Sequence, residues 1–382
     1  MNKSGMATLP LHGGKAPPWL FRRMVMLGKP IFKILYDMEG SEGILRRLSD
    51  TYWYQGLGCI LGYDWHSSGV TTVLGAVLKN ILTPKDHEIV VTGGKGKNSS
   101  KVKQELEEQA KYLGYNEAEI ETLKEISKLV AKIDNAAVQD GFTLYHHNMF
   151  VSENNWAIIQ QGLDEQINKA RRYHWLSENV TNFLDNPHSD IKSEVIKDKV
   201  LDMASKDSQN SRKVSLELIA EGSNRIKRYL NCLKNPKQKN LDNFLNPTNS
   251  HNSSETIKIP HLNLPIPFKL KWESIDMAKK LPLNDYTDLL KIHGLGSGII
   301  RALALISEFI WGEPPSWKDP AKYAYTVGGK DGIPYKVNLR RMEQCAEILE
   351  NAINLAKLDN KNKLQALQRF HRFEQRESLA QY

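Results

Sequence analysis

Apolar residues recur at helical spacing over most of the chain and alternate in one central stretch. Trp19, Phe21, Met24 and Leu27, followed by Ile31, Ile34 and Leu35, predict N-terminal helices. Trp53 to Tyr63 is aromatic and Gly-rich, which predicts tight packing, and Val70 to Leu82 reads as a helix with Ser68 as its N-cap. Residues 104–138 form a helical region striped by Leu123, Ile126, Leu129, Val130 and Ile133, with Asn116 and Glu119 as a capping pair. Leu289, Leu290 and Ile292, then Ile299, Ile300, Leu303 and Ile306, stripe two helices on either side of His293-Gly294-Leu295-Gly296. Two glycines at that spacing allow backbone conformations that a Cβ would forbid.

Strand signals are confined to the first and middle thirds. A short strand from Glu88 runs into the loop Gly93-Gly94-Lys95-Gly96-Lys97. Phe142 to Val151 and Trp156 to Gln161 read as a hairpin turning at Glu153-Asn154-Asn155. Alternation puts Tyr145 and His147 on one face and His146 on the other. Arg171, Arg172, Tyr173 and His174 are assigned to the next helix. Residues 178–234 read as helical and charged, interrupted at Pro187-His188.

The expected fold is therefore mainly α, of the α+β class. Helical N- and C-terminal domains flank a small β-hairpin or sheet region. The expected division is an N-terminal domain over 1–103, a middle domain over 104–234, an Asn/Pro/Ser-rich linker over 235–256, a C-terminal domain over 257–358 carrying the glycine-turned helix pair, and a basic tail over 359–382.

Composition narrows the function. The chain has 382 residues, 40% hydrophobic and 25% charged, which suits a soluble globular protein. No apolar run approaches the ~20 residues of a membrane helix, and MNKSGMATLP lacks the apolar core of an export signal. Three scattered cysteines, Cys59, Cys232 and Cys345, argue against a disulfide framework or a cysteine zinc site and fit the cytoplasm. A net charge of +8 is compatible with nucleic acid.

Candidate chemistry clusters in three places. The Gly93–Lys97 loop frees its backbone and offers Lys95 and Lys97 to a phosphate, but lacks the spacing of a nucleotide-hydrolysing loop. Around the central hairpin stand Asp134, Asp140, His147 and Gln160, with Arg171 and Arg172 nearby. Carboxylates with an imidazole could hold Mg²⁺ or Mn²⁺, with Asp140 and His147 as ligands, while the arginines hold a scissile phosphate. Base recognition by the amides and a purely structural polar network remain open beside that reading. Asp64 and His66 are equally open between a hydrogen-bonded turn and a site.

The stretch LLKIHGLGSGIIRALALIS resembles the helix-hairpin-helix motif of DNA glycosylases, ligases, nucleases and polymerases. Such a motif implies phosphate contact through the amides around Gly294, Gly296, Ser297 and Gly298, with Arg301 and Lys330 adding charge. Glycosylases with this motif place an acid about twenty residues beyond it, where this chain has Asp319. Asp319 before Pro320 also reads as an N-cap. The schiff-base lysine of bifunctional members corresponds to Gly298, so lyase chemistry is not expected there.

Longer words resemble one uncharacterised archaeal and bacterial family, domain of unknown function 763. They are LPLHGGKAPPWLFRRM, RLSDTYWYQGLGCILGYDWHSSGVTT, GGKGK, QDGFTLYHH, WAIIQQG, ARRYHWLSE, DPAKY and GGKDGIPY. The resemblance runs from about residue 7 to 358 and implies a shared architecture without an activity. Relatives carry Pro-Lys where this chain has Ser297-Gly298, and Val-Asp where it has Val337-Asn338. The expectation is a cytoplasmic DNA-binding protein of repair or processing. A metal-dependent nuclease is the first enzymatic reading, a glycosylase the second, and a non-enzymatic nucleic-acid-binding module the alternative.

Overall fold

The structure is a computed structural model that describes residues 16–63, 69–193, 195–234, 267, 270–321, 323–324 and 339–379. Asp64, His66, Ser68 and Lys330 lie outside the described residues, as do the expected linker and Val337-Asn338.

The N-terminal helices are α1 (Pro18–Ser49), α2 (Thr51–Leu61) and α3 (Gly69–Ile81). Pro18 opens α1 at the position where a missing N–H costs nothing. Asp50 caps α2 by accepting from the amides of Tyr52 and Trp53. A single turn, α4 (Pro84–His87), leads to strand β1 (Val90–Lys95). Helices α5 (Val102–Gln109) and α6 (Glu117–Lys132) follow, with Asn116 and Glu119 forming the expected capping box. A π-turn over Ile133–Ala137 ends α6 and leads to β2 (Val138–Gln139).

Strands β3 (Thr143–Val151), β4 (Trp156–Asp164), β5 (Lys169–Leu176) and β6 (Asp190–Ser193) then follow, each antiparallel to the one before it. The short β7 (Leu201–Asp202) pairs with β2. Helices α7 (Gln209–Glu221), α8 (Ser223–Lys234), α9 (Trp272–Ala278), α10 (Tyr286–Lys291) and α11 (Ser297–Trp311) complete one helical layer. Strand β8 (Tyr323–Ala324) joins β6 in parallel, and α12 (Leu339–Leu355) and α13 (Asn360–Leu379) end the described chain.

The main sheet has the order β1-β3-β4-β5-β6-β8. Helices cover both faces. On one face Val91, Phe150, Ala157, Ile159 and Leu176 pack under α1, α2, α3, α12 and α13, through Phe32, Trp53, Leu74, Ile353 and Phe370. On the other, Met149, Val151, Ile158, Tyr173 and Trp175 pack under α6, α7, α8, α10 and α11, through Val130, Leu218, Ile226, Leu289 and Leu303. The fold is mainly α with a central antiparallel sheet. The three expected segments share it: β1 pairs with β3, and β8, beyond the glycine turn, pairs with β6. No helix among the described residues is long and apolar enough to cross a membrane.

Three sequence expectations change. Lys169–Leu176 is a strand, not a helix. Tyr173 and Trp175 favour a pleated surface, and burial on both faces hides the alternation that would have revealed it. The described residues of 178–208 form short strands and turns instead of helix, because β6 completes hydrogen bonding along the β5 edge. Finally, the register between β3 and β4 shifts between Leu144 and His146. The bulge turns Tyr145 toward Gln161, on the face of His146 instead of that of His147.

Candidate nucleic-acid interface

The α10–α11 turn is built by two glycines with different duties. Gly294 has φ 88°, which favours glycine, and a Cβ there would stand 2.1 Å from the Ser274 hydroxyl oxygen. Gly296 is the N-cap of the 15-residue α11 in extended backbone (φ −94°, ψ −176°). Leu295 is buried between the helices. The Gly296 carbonyl accepts from Ile299 at 3.0 Å and Ile300 at 3.2 Å, and the Gly296 N–H is spent on the Gly294 carbonyl at 3.0 Å.

The amides of Ser297 and Gly298 have no acceptor among the described residues. Both residues are half-buried: Pro267 and Leu270 flank Gly298, and Lys271 and Ser274 flank Gly294. One side of the turn is thus walled, and nothing among the described residues lies within 4 Å of a Cβ placed on Gly296. Arg301 follows Ser297 by one helical turn, so it stands on the same face. It forms no ion pair among the described residues, its Nε has no partner, and burial lowers its pKa. Gln139 closes the turn from below, its Nε2 donating to the Ser297 carbonyl at 2.8 Å.

Two buried networks occupy the sheet face toward α6 and the turn. In the first, Asp134 at the π-turn accepts from Trp175 Nε1 at 2.9 Å and Gln160 Nε2 at 2.5 Å, and its other oxygen meets His188 Nε2 at 2.5 Å. The Gln160 oxygen stands 2.9 Å from His147 Nδ1, and His147 Nε2 stands 2.9 Å from the Ser127 hydroxyl. An amide oxygen can only accept, so His147 carries its proton on Nδ1 and Nε2 accepts from Ser127. Burial lowers the His147 pKa, keeping the ring neutral.

In the second network Arg171 is fully buried and bridges two acids. Its Nη1 lies 2.9 Å from Asp140 and 2.8 Å from Asp319, and its Nη2 lies 2.7 Å from Asp319 and 3.1 Å from the Val195 carbonyl. Tyr173 donates to Asp140 at 2.6 Å. Asp319 also accepts from the amides of Lys197 at 2.7 Å and Ala321 at 2.9 Å. Burial raises the Asp140 pKa, against the opposing pull of Arg171.

The opposite sheet face carries a third group. Pairing register aligns Lys95, His146, Gln161, Arg172 and Lys192 in one row across β1, β3, β4, β5 and β6. Helices α2 and α3 roof it. Gln55 Oε1 accepts from both Nη atoms of Arg172 at 3.3 Å and from Lys192 Nζ at 3.0 Å. Thr71, third residue of α3, donates to the Gln161 oxygen, and Gln161 Nε2 donates to the Tyr145 hydroxyl. The Arg172 guanidinium lies 4.7 Å from the centre of the Tyr54 ring.

The sequence matches the family described as protein of unknown function DUF763 over residues 5–337. The chain belongs to the DUF763 family. No curated protein and no solved structure matches it. In this DUF763 protein the expected site residues divide among separate places. Asp134, His147 and Gln160 share the first network, whereas Asp140, Arg171 and Asp319 share the second. The expected Asp140–His147 metal pair is not assembled, because their side chains serve different partners. No group of three or more His, Cys, Asp or Glu suited to a metal occurs among the described residues.

Asp319 is neither a helix cap nor open to a ligand, since α-helix does not follow it and four donors surround its carboxylate. Lys95 and Lys97 are exposed, on the last residue of β1 and the 3₁₀ turn that follows. Residue-by-residue reading passed over Gln55, Thr71 and Lys192. Only the Gln160-Gln161 doublet in a strand hinted at polar groups on both faces.

Proposed function

We propose that this DUF763 protein binds DNA and grips the sugar-phosphate backbone at the α10–α11 turn. The observation that carries the reading is the pair of amides of Ser297 and Gly298 at the start of α11, unspent among the described residues, with Arg301, likewise without an ion pair among them, on the same face. A helix start concentrates partial positive charge, and free N–H groups there suit a phosphate oxygen. The guanidinium adds a formal charge beside it. The net charge of +8 favours approach to a polyanion. Contacts of this kind read backbone and shape, so binding is expected to be indifferent to sequence.

Metal-dependent cleavage at Asp134, Asp140 and His147 forms no step of this proposal. Asp140 is engaged by Arg171 and Tyr173, and Asp134 by hydrogen bonds with His188, Trp175 and Gln160. Base excision at Asp319 is set aside for the same reason. A role in repair or processing would follow from where the grip places the strand. Titration of the full chain with fluorescein-labelled duplexes of unrelated sequence tests the reading. Expected are similar affinities and a logarithmic salt slope of about −0.9 per phosphate held. Absence of binding at low salt refutes it.

A further inference from the structure

We infer that the corner where α9 meets α8, beside the glycine turn, is a second contact for the same sugar-phosphate strand, made by Lys271, Lys227 and Arg228. The inference rests on the nucleic-acid reading and extends it. The strand is held at several phosphates, from the turn amides along α9 to α8, instead of at one.

Helix α9 ties the two places together. It has only seven residues, and both of its sides are fixed. Toward the turn, Lys271 Cδ stands 3.6 Å from a Cβ placed on Gly294, and the Ser274 side chain lies closer still. Toward α8, Asp276 accepts from the Ser223 amide at 3.0 Å and from the Ser223 hydroxyl at 2.8 Å. Lys279 Nζ donates to the Glu221 carbonyl at 3.1 Å. Ile275 and Ala278 anchor the helix in the core beneath. A cation on α8 therefore keeps a set distance from the amides of Ser297 and Gly298. Two contacts held in fixed relation engage one strand without a further ordering cost.

The corner carries charge that the fold leaves uncompensated. Lys227 Nζ lies 4.9 Å from the centre of the Trp272 ring, and both residues are half-buried. The indole draws the ammonium toward α9 but does not neutralise it. A carboxylate in that place would cancel the charge, whereas the ring leaves the formal charge and N–H donors for a ligand. Arg228 follows on α8 and Lys271 is the N-cap of α9, and both are exposed. Lys227, Arg228 and Lys271 form no ion pair among the described residues.

The neighbouring acids are engaged or turned away. Asp276 is spent on Ser223, and Glu221 meets Arg225 at 3.5 Å and the Tyr229 hydroxyl at 3.1 Å. Glu273 is exposed, and Met277, one helical turn on, is 56% exposed, so both stand on the outward side of α9. An ammonium acts on a phosphate oxygen as a point charge and reads no base. The corner thus offers the same kind of contact as the turn amides.

Fluorescence anisotropy of the full chain with a fluorescein-labelled duplex, over a range of salt concentrations, tests the corner. Lys227→Ala/Lys271→Ala is compared with wild type, with Gly296→Asp at the turn, and with Lys29→Ala/Lys361→Ala. The last removes the same charge from exposed positions on α1 and α13, which pack on the opposite sheet face. The corner double should lose about tenfold or more in affinity at 0.1 M salt, and its logarithmic salt slope should fall in magnitude by about two. The control double should stay within about threefold of wild type. If loss of the Lys227–Trp272 contact unfolds the corner double, Arg228→Ala/Lys271→Ala, at two exposed positions, carries the same expectation.

An unchanged slope in the corner double, with Gly296→Asp weakened, overturns the second contact and leaves the turn reading standing. An equal loss in both doubles assigns the effect to net charge and overturns it too. No binding by wild type at low salt overturns both readings together.

Discussion

Gly296→Asp sets stability and binding in opposition. Gly296 has an extended backbone, and a Cβ there would meet nothing within 4 Å, so the side chain fits without strain. As N-cap, an aspartate accepts from the amide two residues on, which is the unspent N–H of Gly298. Asp improves on Gly at this position by only a few tenths of a kcal/mol, and its charge at the helix start adds about 0.3–1 kcal/mol. Thermal midpoint should therefore rise by about a degree or two. Binding should move the other way. One charge-assisted hydrogen bond to phosphate, worth about 1.5–3 kcal/mol, is lost. A carboxylate about 4 Å from a phosphate adds about 1 kcal/mol of repulsion in water and more where water is partly excluded.

The combined loss of about 2.5–4 kcal/mol corresponds to about 70- to 900-fold in Kd. Fluorescence anisotropy with a labelled duplex at several salt concentrations reads both the affinity and the slope. The slope should fall in magnitude by about one phosphate's worth. A variant with an unchanged or raised melting temperature and a Kd within about twofold of wild type would refute phosphate capture at this turn. A misfolded variant is excluded by the same melting curve, which makes this substitution more decisive than Gly294→Asp, whose Cβ collides with Ser274.

Other expectations follow from the buried networks. Asp319→Ala leaves Arg171 buried with one carboxylate and should lower unfolding free energy by about 3–5 kcal/mol, read by urea titration; a loss below about 1 kcal/mol would contradict the bridging role. Ser127→Ala strips the donor from His147 Nε2 and should cost about 1–3 kcal/mol in the same assay, with an unchanged midpoint counting against the assigned tautomer. Acid should destabilise the fold through His146. Its folded pKa of about 3 lies below the ordinary 6.5, so its contribution is present above 6.5 and is lost as pH falls toward 3. Asp202, raised to about 6 by burial, opposes this between about 6 and 3.8, because its contribution is lost as pH rises. Urea midpoints at pH 7 and pH 4.5 should differ less in His146→Asn than in wild type; an equal difference would remove His146 as the cause.

Legibility in the sequence followed local signals. The glycine-turned helix pair was readable because Gly294 and Gly296 interrupt two apolar stripes, and both helices form on either side of them. The capping box at Asn116 was equally local. Strand β5 was not readable, because Arg171 and Arg172 point to opposite faces and both are buried, which looks like a charged helix surface in one dimension. The bulge at Tyr145 was also silent, since it depends on the β3–β4 register and not on composition. Asp134, Asp140 and Asp319 looked like free acids until their partners were known. Those partners, His188, Arg171 and Lys197, come from segments whose pairing only the folded sheet defines.

The outer helices close the N-terminal layer from the far end of the chain. Arg23 of α1 bonds Asn362 at 3.3 Å, Arg369 of α13 bonds the Ile60 carbonyl at 3.2 Å, and Phe370 fills the core beside Trp53. Contacts between residues so distant in sequence form late and slow folding. During synthesis, the apolar flank of α1 and α2 must therefore wait uncovered until α12 and α13 have emerged. A stalled ribosome or a premature stop after the glycine turn would release a chain with its sheet largely specified and one side bare, a substrate for chaperones before it is a protein.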